Sequence, residues 1–233
     1  MNTFYASDLT KNTARLTLSE EEAKHALQVK RLKTGSSVVL VNGSGIKAVA
    51  TIVEINRRQC ICEVESIEEI DPPKAQTLTV AISTIRPNRM DYVAEKLCEL
   101  GVGHIQFLYT EHTSIRTFKQ KHLTKIAISA MKQSRQAWLS TLSAPIALND
   151  WLKHSNTADL RVIAHFHQQA TVLSELPSAV RSKVLLIGPE GGFSDAEVGM
   201  CLSAGFKPLL LGDTILRAET AAVVGAGLLL SLD

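Results

Sequence analysis

Apolar and polar positions alternate in the first 70 residues, and the period then changes. Stretches 37–41, 48–55 and 59–66 have the alternation of half-buried strands. Asn42-Gly43-Ser44-Gly45 separates the first two as a turn, and the pair Arg57-Arg58 precedes the third. Residues 19–32 have a helical pattern. Ser19 stands as its N-cap, with Glu22 at capping-box distance. These elements predict a small β-rich domain that ends at the helix- and strand-breaking Asp71-Pro72-Pro73.

From there strands and helices alternate. Strands are expected at 77–83, 104–109, 160–166, 184–187 and 208–211. The run at 184–187 is continuously apolar and that at 160–166 mainly so, interrupted by Arg161 and His165, as in a sheet covered on both faces. A helix over 88–100 places Met90, Val93, Ala94, Leu97 and Leu100 on one side, and Gly101 stops it. A basic helix is expected over 123–139. Another begins after Ser194, with Glu197 completing a second capping box, and a last one runs over 219–232. This order implies an α/β fold with a mainly parallel sheet. The last helix is apolar on every side over 221–230, so burial all round is expected. Its Gly225 and Gly227 each cost about 1 kcal/mol relative to alanine, tolerable where a neighbour packs closely, in a dimer or a wrapped core.

A chain of 233 residues accommodates two domains, bounded at 1–71 and 74–233. Residues 1–11 lack the basic start and apolar segment of a secretory signal, and the longest apolar run, 221–230, is half a membrane span. A soluble, cytoplasmic protein with no membrane partner is expected. Cys60, Cys62, Cys98 and Cys201 form no C-x-x-C pair, so buried reduced thiols are expected and no metal site.

The net charge of +2 conceals an asymmetry. Residues 74–138 hold ten basic and four acidic side chains, and 112–149 hold no acid. Such a patch suits a polyanion, because each neutralised phosphate releases counterions. A solvated helix face with its acids supplied by other segments is the alternative.

Two strand-to-helix loops carry the chemistry. The first, Ile187-Gly188-Pro189-Glu190-Gly191-Gly192-Phe193-Ser194, exposes bare backbone where ligands collect in parallel sheets. It is neither G-x-G-x-x-G nor a P-loop, and an adenosine held by main-chain groups fits it better than a pyrophosphate. The second, Leu211-Gly212-Asp213-Thr214-Ile215-Leu216-Arg217-Ala218-Glu219-Thr220-Ala221, supplies apolar surface from Ile215 and Leu216. It also supplies charge from Arg217 and Glu219 at the start of the last helix. Each loop alone is as readily a structural turn.

Together, G-P-E-G-G-F-S and L-G-x-x-I-L-R-x-E-T-A resemble the cofactor loops of the ribosomal RNA uridine-N3 methyltransferase (RsmE-type) family of the SPOUT superfamily. The likeness extends to Glu22-Ala23-Lys24-His25, Val29-Lys30-Arg31, Gly35 and Asn42-Gly43-Ser44-Gly45, which resemble that family's PUA-like RNA-binding barrel. It continues through Arg89-Met90, Glu95-Lys96, Glu99-Leu100-Gly101-Val102, Thr110-Glu111 and Met131-Lys132-Gln133-Ser134. The chain departs from the family at Ala218, usually Thr, at Trp138-Leu139-Ser140, where a Pro is usual, and at Arg135, one position early.

The resemblance implies a parallel α/β sheet closed by a C-terminal trefoil knot, a homodimer, and S-adenosyl-L-methionine as cofactor. That cofactor would be held by Ile187, Gly188, Glu190, Gly191, Gly192, Leu211, Gly212, Ile215 and Leu216. The implied reaction is methylation of uridine N3 in 16S ribosomal RNA, on the small ribosomal subunit. Arg217 is then the candidate for stabilising charge on the uracil carbonyls, and Glu219 the candidate base or helper. The alternative for this pair is a structural ion pair capping the last helix.

The candidate phosphate contacts are Lys30, Arg31, Arg86, Arg89, Arg116, Lys119, Lys125 and Arg135. His25 and His165 read as structural histidines, with His165 near the cofactor loops. A methyltransferase for another base or a ribose 2′-hydroxyl, and a non-catalytic RNA-binding protein, remain alternatives. A hydrolase is excluded, because Gly43-Ser44-Gly45 lies in a turn and no G-x-S-x-G elbow exists.

Overall fold

In a computed structural model the structure describes residues 1–56, 59–154, 158–166, 170–177 and 180–232. Arg57-Arg58 lies outside them. The chain forms two compact units. One comprises Met1–Pro72 with Ile128–Leu139, the other Pro73–Ala127 with Ser140–Asp233. Residues 128–139, expected with the second domain, thus pack with the first.

The first unit is built on a five-stranded sheet. Strands β1 (Asn2–Tyr5), β2 (Arg15–Thr17), β3 (Ser37–Val41), β4 (Ile46–Asn56) and β5 (Gln59–Glu69) lie in the order β1-β3-β4-β5-β2. Only the β1–β3 pair is parallel. The β3–β4 turn is closed by Asn42, whose side-chain oxygen accepts from the N–H groups of Ser44 and Ile46 at 2.7 and 3.0 Å. One face buries Phe4, Leu9, Leu40, Ile52, Cys60 and Cys62.

The helix expected over 19–32 is shorter. Helix α1 (Glu20–Lys24) is capped by Ser19 and passes into a wider turn at His25–Val29. Arg31, at φ 53°, then leaves the helical region. Glu22 does not close the expected box. Its buried carboxylate pairs with Lys132 of the same unit. Trp138, one of the departures from the family pattern, has a packing reason. Its indole N–H donates to the Ile70 carbonyl at 2.8 Å, and its ring fills the space that a side chain at Gly45 would occupy.

The second unit holds a six-stranded, all-parallel sheet. Its strands are β6 (Leu78–Ser83), β7 (His104–Tyr109), β8 (Thr141–Ala147), β9 (Leu160–Ala164), β10 (Lys183–Ile187) and β11 (Lys207–Leu209), in the order β11-β9-β10-β6-β7-β8. Every residue of β10 is buried, as its unbroken apolar run requires. Helices α2 (Pro87–Glu99), α3 (Gln120–Gln133), α4 (Leu148–His154), α5 (Asp195–Ser203) and α6 (Ala218–Leu230) complete the fold.

Met90, Val93, Ala94 and Leu97 of α2 are buried as expected, whereas Leu100 is exposed. Helix α3 stops earlier than 139, because Arg135 adopts φ 58°, a conformation that ends a helix. Residues up to Ala127 belong to the second unit and Ile128 onwards to the first.

The last helix is not buried all round within this chain. Ala222, Gly225, Ala226 and Leu229 face inward, and a methyl at Gly225 would meet Leu185 at 2.8 Å, the close neighbour anticipated there. Gly227 has nothing within 4 Å, and Val224 is exposed. All four cysteines are free and buried. Burial pushes the Cys98 thiol up to about 11, and burial with Glu197 nearby pushes Cys201 up to about 12, so both stay protonated. Among the described residues no group of side chains is arranged to hold a metal ion, and no helix is long and apolar enough to cross a membrane.

Candidate active site

Strands β9, β10 and β11 are neighbours and parallel, so their carboxyl ends open on one edge of the sheet. The residues that follow them line a cavity of about 390 Å³, within the usual range for small-ligand sites. His165 and Phe166 come from the end of β9, residues 187–190 with Gly192 and Phe193 from β10, and residues 209–212 and 214–218 with Ala221 from β11 into α6.

Eight of the nine expected cofactor residues line it: Ile187, Gly188, Glu190, Gly192, Leu211, Gly212, Ile215 and Leu216. Gly191 does not. It lies behind the loop, against His112. Ala164, Phe166, Pro189, Phe193, Leu209, Leu210, Thr214, Ala218 and Ala221 add an apolar surface that the sequence reading did not assign.

The first loop is held from three directions. Gly192 N–H donates to the Pro189 carbonyl at 2.9 Å, and Gly192 takes φ 72°, which glycine adopts without strain. Behind it Ser194 and Glu197 form the expected capping box of α5. The other Glu197 oxygen accepts the Glu111 N–H at 2.8 Å. His112 Nδ1–H donates to the carbonyls of Gly191 and Gly192 at 3.1 and 3.2 Å. A Cβ on residue 191 would lie 3.2 Å from that of His112, so a larger residue there would have to push His112 back by a few tenths of an ångström.

Arg89 joins the two loops. Its guanidinium, side-chain exposure 21%, lies 3.2 Å from Glu190 and 3.5 Å from Glu219. This corrects two expectations. Arg89 is occupied by carboxylates rather than free for phosphate. Glu219 does not line the cavity, its carboxylate being turned to Arg89 with Oε2 buried and without a hydrogen-bond partner. The alternative weighed for these two residues, an Arg217–Glu219 ion pair, is not formed. Arg217 caps α6 with its backbone, and its exposed side chain borders the cavity without an ion pair to a described residue.

Among the remaining candidates, Lys30, Arg31 and Arg135 stand exposed on the first unit, and Arg86, Arg116, Lys119 and Lys125 on the second. The Arg116 guanidinium lies over the Tyr109 ring, 5.0 Å from its centroid. His25 packs edge-on to Phe4, a structural contact, while His165 lines the cavity.

The site fits an adenosine-type cofactor. It offers an apolar slot, main-chain groups at two glycine-containing turns and, among the described residues, no cluster of cations for a pyrophosphate.

Comparison with known proteins agrees. Residues 72–230 match the model of an RNA methyltransferase domain, and residues 18–65 that of an RNA methyltransferase PUA domain. The ribosomal RNA small subunit methyltransferase E of Rickettsia conorii is 28% identical over 226 residues, 95% of this chain and 92% of the relative. The crystal structure of a probable rRNA methyltransferase from Porphyromonas gingivalis is 34% identical with TM-score 0.88, over 100% of this chain and 98% of that one. A ribosomal RNA small subunit methyltransferase E from Neisseria gonorrhoeae, bound to S-adenosyl methionine, is 25% identical with TM-score 0.91, over 100% and 98%. The chain belongs to the RNA methyltransferase family, the family its two loops resemble.

Proposed function

We propose that this protein uses S-adenosyl-L-methionine to methylate N3 of a uridine in the 16S RNA of the small ribosomal subunit. The observation that carries the reading is the apolar cavity at the joined carboxyl ends of β9, β10 and β11, bordered by Arg217, which forms no ion pair with a described residue. The Neisseria relative's bound cofactor and the Rickettsia relative's name support the cofactor and the substrate class.

S-adenosyl-L-methionine supplies an electrophilic methyl group. The chain supplies the rest. The slot between the two loops would hold the adenosine in apolar surroundings, and Ile187, Gly188, Glu190, Gly192, Leu211, Gly212, Ile215 and Leu216, which line it, are the residues that would contact it. Gly191 shapes the loop from behind through His112. Uridine N3–H lies between two carbonyls; loss of its proton to solvent places negative charge on O2 and O4, and N3 then takes the methyl group as the sulfonium leaves as the thioether. Arg217 is free to reach that charge. Glu219 acts through Arg89, as a positioning group rather than a base.

N3 is occupied in a base pair, so the uridine must be unpaired or extruded. Lys30, Arg31, Arg86, Arg116, Lys119, Lys125 and Arg135 are the proposed phosphate contacts, now without Arg89. With such a substrate, we infer a cytoplasmic location. The test is incubation with methyl-labelled cofactor and small subunits lacking the modification, followed by nucleoside digestion. Label in 3-methyluridine supports the reading. Label in a ribose methyl or in another base contradicts it.

His112→Ala removes the donor to two loop carbonyls. A rise of about tenfold in KM for the cofactor with little change in kcat is expected, with partial recovery in His112→Asn, whose amide can donate. Equal KM in His112→Ala and wild type would remove His112 from this role.

We further infer a homodimer and the trefoil knot. The outward face of α6, with exposed Val224 and open Gly227, is suited to a second copy, and α2, which packs against α6, also exposes Tyr92. Sedimentation should show a dimer, and Val224→Glu should shift it to monomer. A monomeric wild-type protein would contradict this.

A further inference from the structure

A second hollow, of about 210 Å³, opens on the same unit between α2 and the start of α3. Its floor is Met90 and Leu123, both buried, and Pro87 lines one wall. Its rim is polar: Asp91, Thr117, Lys119 and His122. Asp91 Oδ2 accepts from His122 Nε2 at 2.9 Å, which orients the carboxylate; Oδ1 has no hydrogen bond to a described residue, and Oδ2 keeps a second lone pair for a further donor. Lys119 is exposed and forms no ion pair with a described residue, and the flanking chain adds Arg116, Lys121 and Lys125.

An apolar floor with a fixed acceptor at one edge and a cation at the rim matches a flat heterocycle joined to a phosphate. The carboxylate selects among bases. Guanine presents two adjacent donors, N1–H and the N2 amine, which one carboxylate can accept together. Uracil presents one donor between two carbonyls, which a carboxylate repels. Adenine presents one amine beside an acceptor nitrogen. Bases of single-stranded RNA are read on this edge.

We propose that this hollow is a subsite for an unpaired guanosine of the RNA substrate, with Asp91 on its Watson–Crick edge and Lys119 on its phosphate. Arg89, between Pro87 and Asp91 in the same turn of α2, contacts both cofactor loops. A nucleotide in the hollow is therefore held one helix face away from the methyl-transfer cavity. The proposal rests on the RNA-methylating reading of that cavity.

The test titrates 5′-GMP, 5′-AMP and 5′-UMP into the isotope-labelled full chain saturated with S-adenosyl-L-methionine, following amide shifts. GMP is expected to move Thr117, His122 and Leu123 with affinity at least tenfold above UMP, and Asp91→Asn to erase that preference. Thr117→Trp, which fills the hollow from an exposed position, should abolish the response. Equal responses to the three nucleotides, or a preference that survives Asp91→Asn, would overturn the subsite. A parallel methyl-transfer assay on small subunits separates the two readings. If wild type transfers methyl but shows no GMP preference, the subsite falls and the enzyme stands. If GMP binds selectively but no RNA is methylated, the guanine site stands, and the enzymatic reading falls together with the assignment of that guanine to a methylation substrate.

Discussion

Arg217→Ala should lower kcat for methyl transfer by about 10²–10³-fold, some 3–4 kcal/mol of transition-state stabilisation, and change cofactor affinity by less than about threefold. The asymmetry follows from where the side chain stands. Arg217 borders the cavity, is exposed, and is not engaged by Glu219 or by any other described carboxylate. Its removal therefore leaves no buried charge without a partner, and the fold should tolerate it. The cofactor slot is apolar and offers main-chain groups, so an exposed guanidinium at its border contributes little to it. What is lost is the cation facing O2 or O4 as the uridine gives up its proton. Arg217→Lys should recover part of the rate, because an ammonium keeps the charge without the planar fork. Single-turnover kinetics with saturating cofactor measure this directly. A wild-type rate for Arg217→Ala would place charge stabilisation elsewhere.

The second large effect is expected at Arg89. Arg89→Ala leaves Glu190 and Glu219 facing each other without a cation. The Glu219 side chain is only 13% exposed, and one of its oxygens already lacks a partner. A partly buried ion pair broken on one side costs about 2–3 kcal/mol, below the 3–5 expected of a fully buried one. The loss falls on the two loops that form the cavity, so cofactor affinity should weaken by 10–100-fold together with a lower melting temperature. Adding Glu219→Gln to Arg89→Ala should restore part of both, because it removes the uncompensated charge. Calorimetric titration with S-adenosyl-L-methionine and thermal melts distinguish this from phosphate contact. A phosphate contact would leave cofactor binding unchanged and reduce only the salt dependence of RNA binding.

The local features of the site were legible because they are written in adjacent residues. The Ser194–Glu197 capping box and both glycine-containing loops occur where their patterns predict. The cross-chain clamps were not legible. Arg89 and Glu190 are 101 positions apart, and His112 lies 79 positions from Gly191, so no periodicity relates them. For the same reason a charge count could not tell Arg89, held by two acids, from the exposed Arg116.

The edge strand β8 escaped because its neighbour covers only one side. Most of its positions are exposed or half-buried, it contains Pro145, and it lacks the apolar run of β10. Helix α3 was read too long because nothing in the composition of 134–139 marks Arg135 as the residue that turns left-handed. Trp138 resembled a departure from a family pattern until its ring was found over Gly45.

The most direct test of the central claim is primer extension across the 16S RNA of small subunits lacking the modification, incubated with this protein and S-adenosyl-L-methionine. A methyl on uridine N3 blocks the pairing edge. A single strong stop that requires both protein and cofactor, and is lost with Arg217→Ala, is the predicted result. Methyl incorporation with no stop anywhere in the RNA would contradict methylation at N3.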